Sequence, residues 1–294
     1  FYFDNDRHST NAGAMGAFGF RVGAEISRVL ATGTNWVSVP KSVRITLRGK
    51  LQPHVYARDV GFHLARLQQA GVLDFDLDYR VVEFAGDIDQ LGLSERTALC
   101  NSPTELGAYG VFFPPSESIL AFAAERAQQP FTPVFADADA EYEQEVIVHI
   151  GSLGPQVAAP GDIRTSMDVE EAAGQRVDHA FLGACGSGMY EDFATAASFL
   201  KGRRVARHVR LFIAPGTEAS TRRMSAEGLL DVFVQAGAIV LPAGCGPCND
   251  AVVGPLHDGE VSISTASNSN AGRFGSKKAQ LFLGSPAAGT AGSP

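Results

Sequence analysis

The chain has only four cysteines among 294 residues, one tryptophan, and no apolar run approaching the ~20 residues that a membrane-spanning helix requires. So few cysteines do not make a disulfide scaffold. Membrane insertion through a helix is not expected either. Positive charge is in deficit: 24 Lys and Arg against 32 Asp and Glu leave a formal net charge of −8. That balance argues against a nucleic-acid surface, because phosphate binding wants net positive patches. The chain opens Phe1-Tyr2-Phe3-Asp4, with no Met and no charged leader region. It therefore reads as an incomplete or cut chain in a reducing, cytoplasmic setting. Basic residues do bunch at Lys201, Arg203, Arg204, Arg207 and Arg210. At a helix end they are expected to form a solvated face that complements the helix dipole.

Hydrophobic residues make up 45% of the sequence, enough for two domains with real cores. Residues 1–39 begin with the polar turn Asp6-Arg7-His8-Ser9-Thr10-Asn11 and continue through Gly13, Gly16, Gly19 and Gly23 into an expected small-residue helix. That glycine spacing is a poor dinucleotide fingerprint, and no strand is expected before it. Residues 40–150 read as a compact α/β domain. Val43, Ile45 and Leu47 alternate with polar neighbours as in a half-buried strand, and a helical stretch starts at Asp59. A second strand is expected over Tyr79–Phe84, a helix over Ser116–Ala127 capped by Ser116, and a third strand over Val146–Ile150. In residues 151–294 a loop over Pro155–Pro160 is followed by strand, turn and helix in repetition. That alternation predicts a parallel sheet with flanking helices. The Ala/Gly/Ser/Pro-rich tail from Ala287 is expected to fray.

Three of the cysteines stand out. Cys185 lies in Leu182-Gly183-Ala184-Cys185-Gly186-Ser187-Gly188, between a predicted strand and a helix N-terminus that stabilises a thiolate. Cys245 and Cys248 form a C-x-x-C held open by Gly246 and Pro247 after another strand. Three thiols are an odd number for disulfides and one short of a closed zinc site. They suit a cubane iron–sulfur cluster with one iron left without a protein ligand. Cys100 lies on an apolar stretch of another domain and is read as structural. An alternative is a zinc or thiol enzyme with Cys185 as the nucleophile at a strand–helix elbow.

Several motifs, in order, resemble the large subunit of 3-isopropylmalate dehydratase and its aconitase and homoaconitase relatives. Asp6-Arg7-His8-Ser9 stands where that family has D-S-H-T, and Cys100-Asn101 with Glu105 resembles its C-N-x-x-x-E. Val29 to Trp36, followed by Val39-Pro40, looks like the stretch closing the family's first domain. Gly183-Ala184-Cys185 with Glu191-Asp192, the Cys245/Cys248 pair, and Ser267-Asn268-Ser269-Asn270-Ala271-Gly272-Arg273 complete the set.

The resemblance implies an aconitase-like α/β fold of parallel or mixed sheets with flanking helices in repeated three-layer domains. In that frame residues 1–39 are the C-terminal remnant of the first domain, 40–150 the second, and 151–294 the third, carrying the cluster cysteines. It implies a 4Fe–4S hydro-lyase that dehydrates and rehydrates a 2-hydroxy di- or tricarboxylic acid such as 3-isopropylmalate, as in leucine biosynthesis. Cys185, Cys245 and Cys248 would hold the cluster. Asp6, His8 and Glu105 would be catalytic, with Glu105 orienting His8 across the domains. Arg7, Asn101, Asn268 and Arg273 would face the substrate or its exchanging water.

The implied partner is a small subunit carrying the family's swivelling domain with the catalytic serine, so this chain alone is expected to be inactive. Departures from the pattern gather around the pocket. Arg7 replaces a serine, Ser269 an arginine, Gly186-Ser187 a Thr-Asn pair and Met189 an arginine. They suggest a retained cluster with a changed substrate (citraconate, dimethylmalate, maleate, homocitrate or citrate), Arg7 supplying from the opposite wall the cation lost at 269. The competing reading of another class is a non-catalytic aconitase-like scaffold that senses through its cluster or binds a partner.

Overall fold

The computed structural model describes residues 1–73, 76–249 and 253–291. In chain order its first elements are β1 (Tyr2–Asp4), a 3₁₀ segment (Arg7–Met15), β2 (Gly19–Arg21), α1 (Ile26–Thr32), β3 (Lys41–Arg48), α2 (Ala57–Gln69) and β4 (Arg80–Gly86). Then come α3 (Leu93–Glu105), β5 (Gly110–Phe112), α4 (Glu117–Arg126), β6 (Gln144–His149), β7 (Gln156–Ala158) and β8 (Ser166–Asp168). The last third holds β9 (His179–Gly183), α5 (Tyr190–Leu200), β10 (Arg210–Ala214), α6 (Glu218–Ala226), α7 (Leu229–Ala236), β11 (Ile239–Val240), β12 (Val261–Ser264), β13 (Gln280–Gly284) and α8 (Pro286–Ala291). No described helix is long and apolar enough to cross a membrane.

The chain forms two compact units: residues 1–52 with 73–153, and residues 53–72 with 154–294. The first holds an all-parallel sheet in the order β5-β4-β3-β6 and a small parallel pair, β1-β2. Val43, Ile45 and Leu47 of β3 are buried while their neighbours are less so, as the alternation predicts. β4 stacks Phe84 against Phe113, with ring centroids 4.7 Å apart.

The second unit is built on the order β11-β10-β9-β12-β13-β7-β8, parallel from β11 to β13 and antiparallel at β7 and β8. All five residues of β9 are buried, as expected for a central parallel strand covered on both faces. Phe193, Ala196, Ala197 and Leu200 of α5 pack with Leu182, Ile213 and Phe233 in its core. The chain is thus mixed α/β, with parallel sheets and flanking helices.

Four local expectations need correction. A strand does precede the polar turn: Tyr2–Asp4 forms β1, held by its parallel pairing with Gly19–Arg21 further along the chain. Residues 7–15 form a 3₁₀ segment rather than an α-helix, closed by Gly16 in the left-handed region. The stretch Pro155–Pro160 is not simply a loop, because Gln156–Ala158 forms β7 between β13 and β8 and buries all three residues. Its Gln156 amide proton goes to the buried Asp59 carboxylate at 2.9 Å, a long-range partner that local composition cannot reveal. The tail does not fray from Ala287: Pro286–Ala291 is helical, and α8 packs against α5. Residues 292–294 lie outside the described residues.

The centre of the large sheet also makes a pH prediction. His179 is fully buried, 2.8 Å from Ser262 Oγ through Nδ1, and lies against the Phe212 and Phe274 rings. Burial pushes its imidazole from 6.5 down to about 3, with the charge of Arg210 adding to the effect. The folded pKa lies below the unfolded one, so this contribution to stability is present above pH 6.5 and is lost as pH falls toward 3. The linkage is steepest at roughly 1.4 kcal/mol per pH unit. Thermal unfolding followed from neutral to acidic pH should show that slope, flattened in His179→Gln. Equal slopes in both proteins would remove His179 as its source.

Candidate functional site

In the first unit the polar turn is built around an imidazole. Asp6 sits at the N-cap of the 3₁₀ segment, where its carboxylate accepts from the His8 backbone N–H at 2.7 Å. The same carboxylate is 2.9 Å from His8 Nδ1, while His8 Nε2 is 2.9 Å from Glu105 Oε1. Both ring nitrogens therefore face carboxylates, an arrangement a doubly protonated ring satisfies by donating on both sides. The two flanks differ. The Glu105 side chain is 6% exposed, and that of Asp6 is 68% exposed. Glu105 can fix the ring from the interior, whereas the Asp6 side is open. The hydrogen bond from His8 holds the Asp6 carboxyl down at about 2.

Arg7 leans on the other Glu105 oxygen at 3.5 Å and stays half exposed. Thr10 and Thr104 hydroxyls, 2.7 Å apart and buried, tie the 3₁₀ segment to the end of α3. The structure thus brings Asp6, Arg7, His8 and Glu105 together, all within one compact unit rather than in two domains. Asn101 is buried, with its amide NH₂ donating to Asn11 Oδ1 and to Thr97 O, both at 2.9 Å. That places it in the packing between the 3₁₀ segment and α3. Cys100 is fully buried, and desolvation drives its thiol far above the ordinary range. It is an inert core residue, as the sequence suggested.

In the second unit, parallel pairing decides what gathers. The strands β9, β10, β11 and β12 end at Gly183, Ala214, Val240 and Ser264, on the same edge of the sheet. The loops that follow carry Cys185, the Cys245/Cys248 turn, and residues 265–273. In open α/β sheets ligands bind at this carboxyl edge. Gly183 has φ +145°, and a Cβ there would meet Ala214 O at 2.2 Å, so β10 crowds the strand end to a glycine. Ala184 follows at φ +67°, an uncommon conformation for a residue with a side chain, and turns the chain into Cys185.

Ser267 links two of the thiols. Its hydroxyl is 3.3 Å from Cys185 Sγ, and its backbone N–H donates to the Cys248 sulfur. Arg273 reaches Cys248 Sγ through Nη2 at 3.8 Å, so it faces a sulfur. Burial pushes the Cys248 thiol up, while Arg273 pulls it down and Cys185 opposes its ionisation. Cys185 is half-buried, Cys248 buried and Cys245 exposed. The Asn268 Oδ1 is buried without a hydrogen-bond partner among the described residues. Ser269 is buried and bonds Ala159 O through its hydroxyl at 3.3 Å, while its own carbonyl accepts from Gly161 N–H. No cation occupies that position. Met189 serves as the N-cap of α5, where its N–H donates to Asp192. Glu191 pairs with Arg223 at 2.9 Å.

One residue of this region escaped the sequence reading altogether. Arg58, in the first turn of α2, is 3% exposed, and its guanidinium donates to Ala266 O. Burial pushes it down to about 10, so it stays charged at neutral pH, and Cys185, Asp192, Asp59 and Cys248 act in the opposite sense. A charged pair, Arg58-Asp59, opening an otherwise core-facing helix was the available signal.

The donor set, three thiols carried by loops at one edge of one sheet, is of the kind that holds an iron–sulfur group. Among the described residues no three His, Cys, Asp or Glu side chains stand close enough to hold one metal ion. Thiolates on a cluster each bind a different iron, so they need not converge on a point. A serine hydroxyl, a backbone N–H and Arg273 directed at the sulfurs offset the negative charge that such ligands carry.

Known proteins similar in sequence span almost the whole chain. A sequence profile of the Aconitase family (aconitate hydratase) matches residues 3–176 and 163–293. The probable methanogen homoaconitase large subunit of Methanosarcina mazei is 38% identical over 288 residues, which is 97% of this chain and 72% of that protein. A 3-isopropylmalate dehydratase large subunit of Archaeoglobus fulgidus is 36% identical over 291 residues, 97% of this chain and 68% of that protein. The 3-isopropylmalate dehydratase large subunit of Wolinella succinogenes is 36% identical over 292 residues, with the same shares.

Proposed function

This chain belongs to the aconitase family, and on that premise we propose that it is the cluster-binding large subunit of a hydro-lyase acting on a 2-hydroxy di- or tricarboxylic acid. The observation that carries the reading is the delivery of Cys185, Cys245 and Cys248 to one edge of one parallel sheet. Ser267 couples two of them. A bound 4Fe–4S cluster would supply a Lewis-acidic iron that weakens the bond to the leaving hydroxyl. The names of the relatives divide between homoaconitase and 3-isopropylmalate dehydratase, so the substrate is proposed as a class.

The protein's own groups handle charge and protons. Dehydration breaks a C–O bond and removes a proton from the neighbouring carbon, and hydration reverses both. His8, held on Nε2 by buried Glu105, can hold a proton at Nδ1 on its open side and pass it to the departing oxygen. Arg7 is a half-exposed cation beside this pair and suits a substrate carboxylate, while Ser269 offers none. Asn268 has a buried amide oxygen left over for an ordered polar group. The relatives' designation as large subunits supports a small-subunit partner, with turnover only after that subunit is added.

The test is anaerobic purification of the protein, with iron, acid-labile sulfide and visible absorption measured before a dehydratase assay with its small subunit. About four iron and four sulfide per chain are expected. Arg7→Ser should raise KM for the dicarboxylate about tenfold or more, as loss of a charged contact does. A colourless protein with a single zinc ion would overturn the cluster reading, and an iron-loaded but inactive pair of subunits would favour the sensing scaffold.

A further inference from the structure

Arg58 presents an imbalance of charge. Its guanidinium is buried, and its Nε has no hydrogen-bond partner among the described residues. The hydrogen bond that its guanidinium makes goes to a backbone carbonyl, that of Ala266, and not to a carboxylate. The acidic neighbours are committed elsewhere. Asp59 accepts backbone N–H groups of Tyr56 and Gln156 at 2.7 and 2.9 Å, and Asp192 accepts that of Met189 at 2.9 Å. A buried cation with no direct ion pair depends on the negative groups around it for compensation. Negative charge around it comes from Cys185 first, then from Asp192, Asp59 and Cys248, so two of the four groups that balance Arg58 are sulfurs.

The path from Arg58 to those sulfurs is short and covalently continuous. Arg58 donates to the carbonyl of Ala266, and the next residue, Ser267, meets Cys185 through its hydroxyl and Cys248 through its N–H. The segment is pinned from its other end as well. Thr265 Oγ1 donates to Gly183 O at 3.0 Å and accepts from Gly183 N–H at 2.8 Å, locking it to the strand end before Cys185. Arg58 is thus placed to fix the backbone that presents Ser267, and to add a full positive charge behind it.

We propose that Arg58 and Ser267 form a charge-compensating bridge beneath the cysteine ligands, which favours the more reduced, more negative state of the bound cluster and so raises its reduction potential. This rests on the cluster reading above. Arg58 is a positioning and field-setting residue: it holds Ser267 and compensates the charge of the sulfurs. A permanent cation near a redox group stabilises whichever state carries more negative charge, and hydrogen bonds to cluster sulfurs act in the same sense.

The test is a dithionite titration of the anaerobically reconstituted holoprotein, followed by electron paramagnetic resonance, on wild type, Arg58→Met, Arg58→Lys and Ser267→Ala. Iron and sulfide are measured on each sample. In Arg58→Met the ratio of reduced to oxidised cluster at a fixed potential should fall at least tenfold, a downward shift of about 59 mV for a one-electron couple. Arg58→Lys, which keeps the charge, should stay near the wild-type value, and Ser267→Ala should fall in the same direction by less.

Should Arg58→Met fail to fold, Ser267→Ala decides: a lowered potential supports the bridge, and an unmoved one overturns it. Fully loaded Arg58→Met and Ser267→Ala proteins that titrate with wild type would reduce Arg58 to a structural staple and end the proposal. Absence of iron and sulfide from the wild type itself would instead bring down the cluster reading, and the bridge with it.

Discussion

Glu105→Gln is expected to lower the turnover of the assembled hydro-lyase by about two to four orders of magnitude, the usual scale for a disabled acid–base group. The reasoning lies in the burial of the carboxylate. Glu105 closes α3 with its side chain almost out of solvent, and it receives His8 Nε2 at 2.9 Å. An amide of the same shape keeps a hydrogen bond but removes the charge that favours a protonated ring. The imidazole then holds its proton less well, and Arg7 loses the partner that restrains it. The effect should therefore fall on kcat, with KM changed little and iron content unaltered. Asp6→Asn should cost less, because the Asp6 carboxylate is exposed and water can replace it. Steady-state kinetics with the small subunit present check both, and an unchanged kcat in Glu105→Gln would remove the His8–Glu105 pair from the chemistry.

Gly13→Ala should be among the most destabilising single changes in the first unit, even though it adds only a methyl group. Gly13 lies in the 3₁₀ segment, where a Cβ would fall 1.7 Å from the carbonyl oxygen of Val111. That oxygen belongs to β5, and Phe113 N–H donates back to Gly13 O at 3.0 Å. The neighbour is backbone in a sheet, so it cannot rotate aside as a side chain would. The 3₁₀ segment must lift, opening the contact with α3 and the buried Thr10–Thr104 pair. A cost of about 3–5 kcal/mol, the range of overpacked cores and broken buried networks, is expected. Denaturant unfolding monitored by tryptophan fluorescence and circular dichroism measures it. A midpoint equal to wild type would show that the segment is not seated as described.

The second unit was largely legible because its signals are local and repeated. Apolar runs ending in glycine-rich turns marked β9, β10 and β11, and the i, i+3, i+4, i+7 pattern in Phe193–Leu200 marked α5. The gathering of Cys185 with the Cys245/Cys248 turn followed from parallel strands delivering their carboxyl ends to one edge. The misses have a common cause in long-range partners. β7 forms in a proline-flanked stretch because β13 and β8 are beside it, and α8 forms in an Ala/Gly/Pro tail because α5 covers it. Arg58 was invisible for a related reason: a basic residue in a helix's first turn looks solvated until the fold buries it. In the first unit, the proximity of His8 and Glu105 came from the motif resemblance and not from spacing. Ninety-seven residues separate them, and only the packing of the 3₁₀ segment on α3 closes that interval.

The strand order of the large sheet also governs when it can be made. β9 pairs with β10 on one side, but its other neighbour is β12, and β13 lies beyond that. A chain growing from the ribosome therefore exposes one flank of β9 while more than half of the unit's remaining sequence is still to come. Closing so long an interval is entropically costly, and non-local parallel pairing is slow. Thr265, which locks Gly183, and Ser267, which meets Cys185 and Cys248, both follow β12. Cys185 and Cys248 are thus synthesised before the Ser267 groups that meet their sulfurs, and the order of strands makes those contacts a late event in folding.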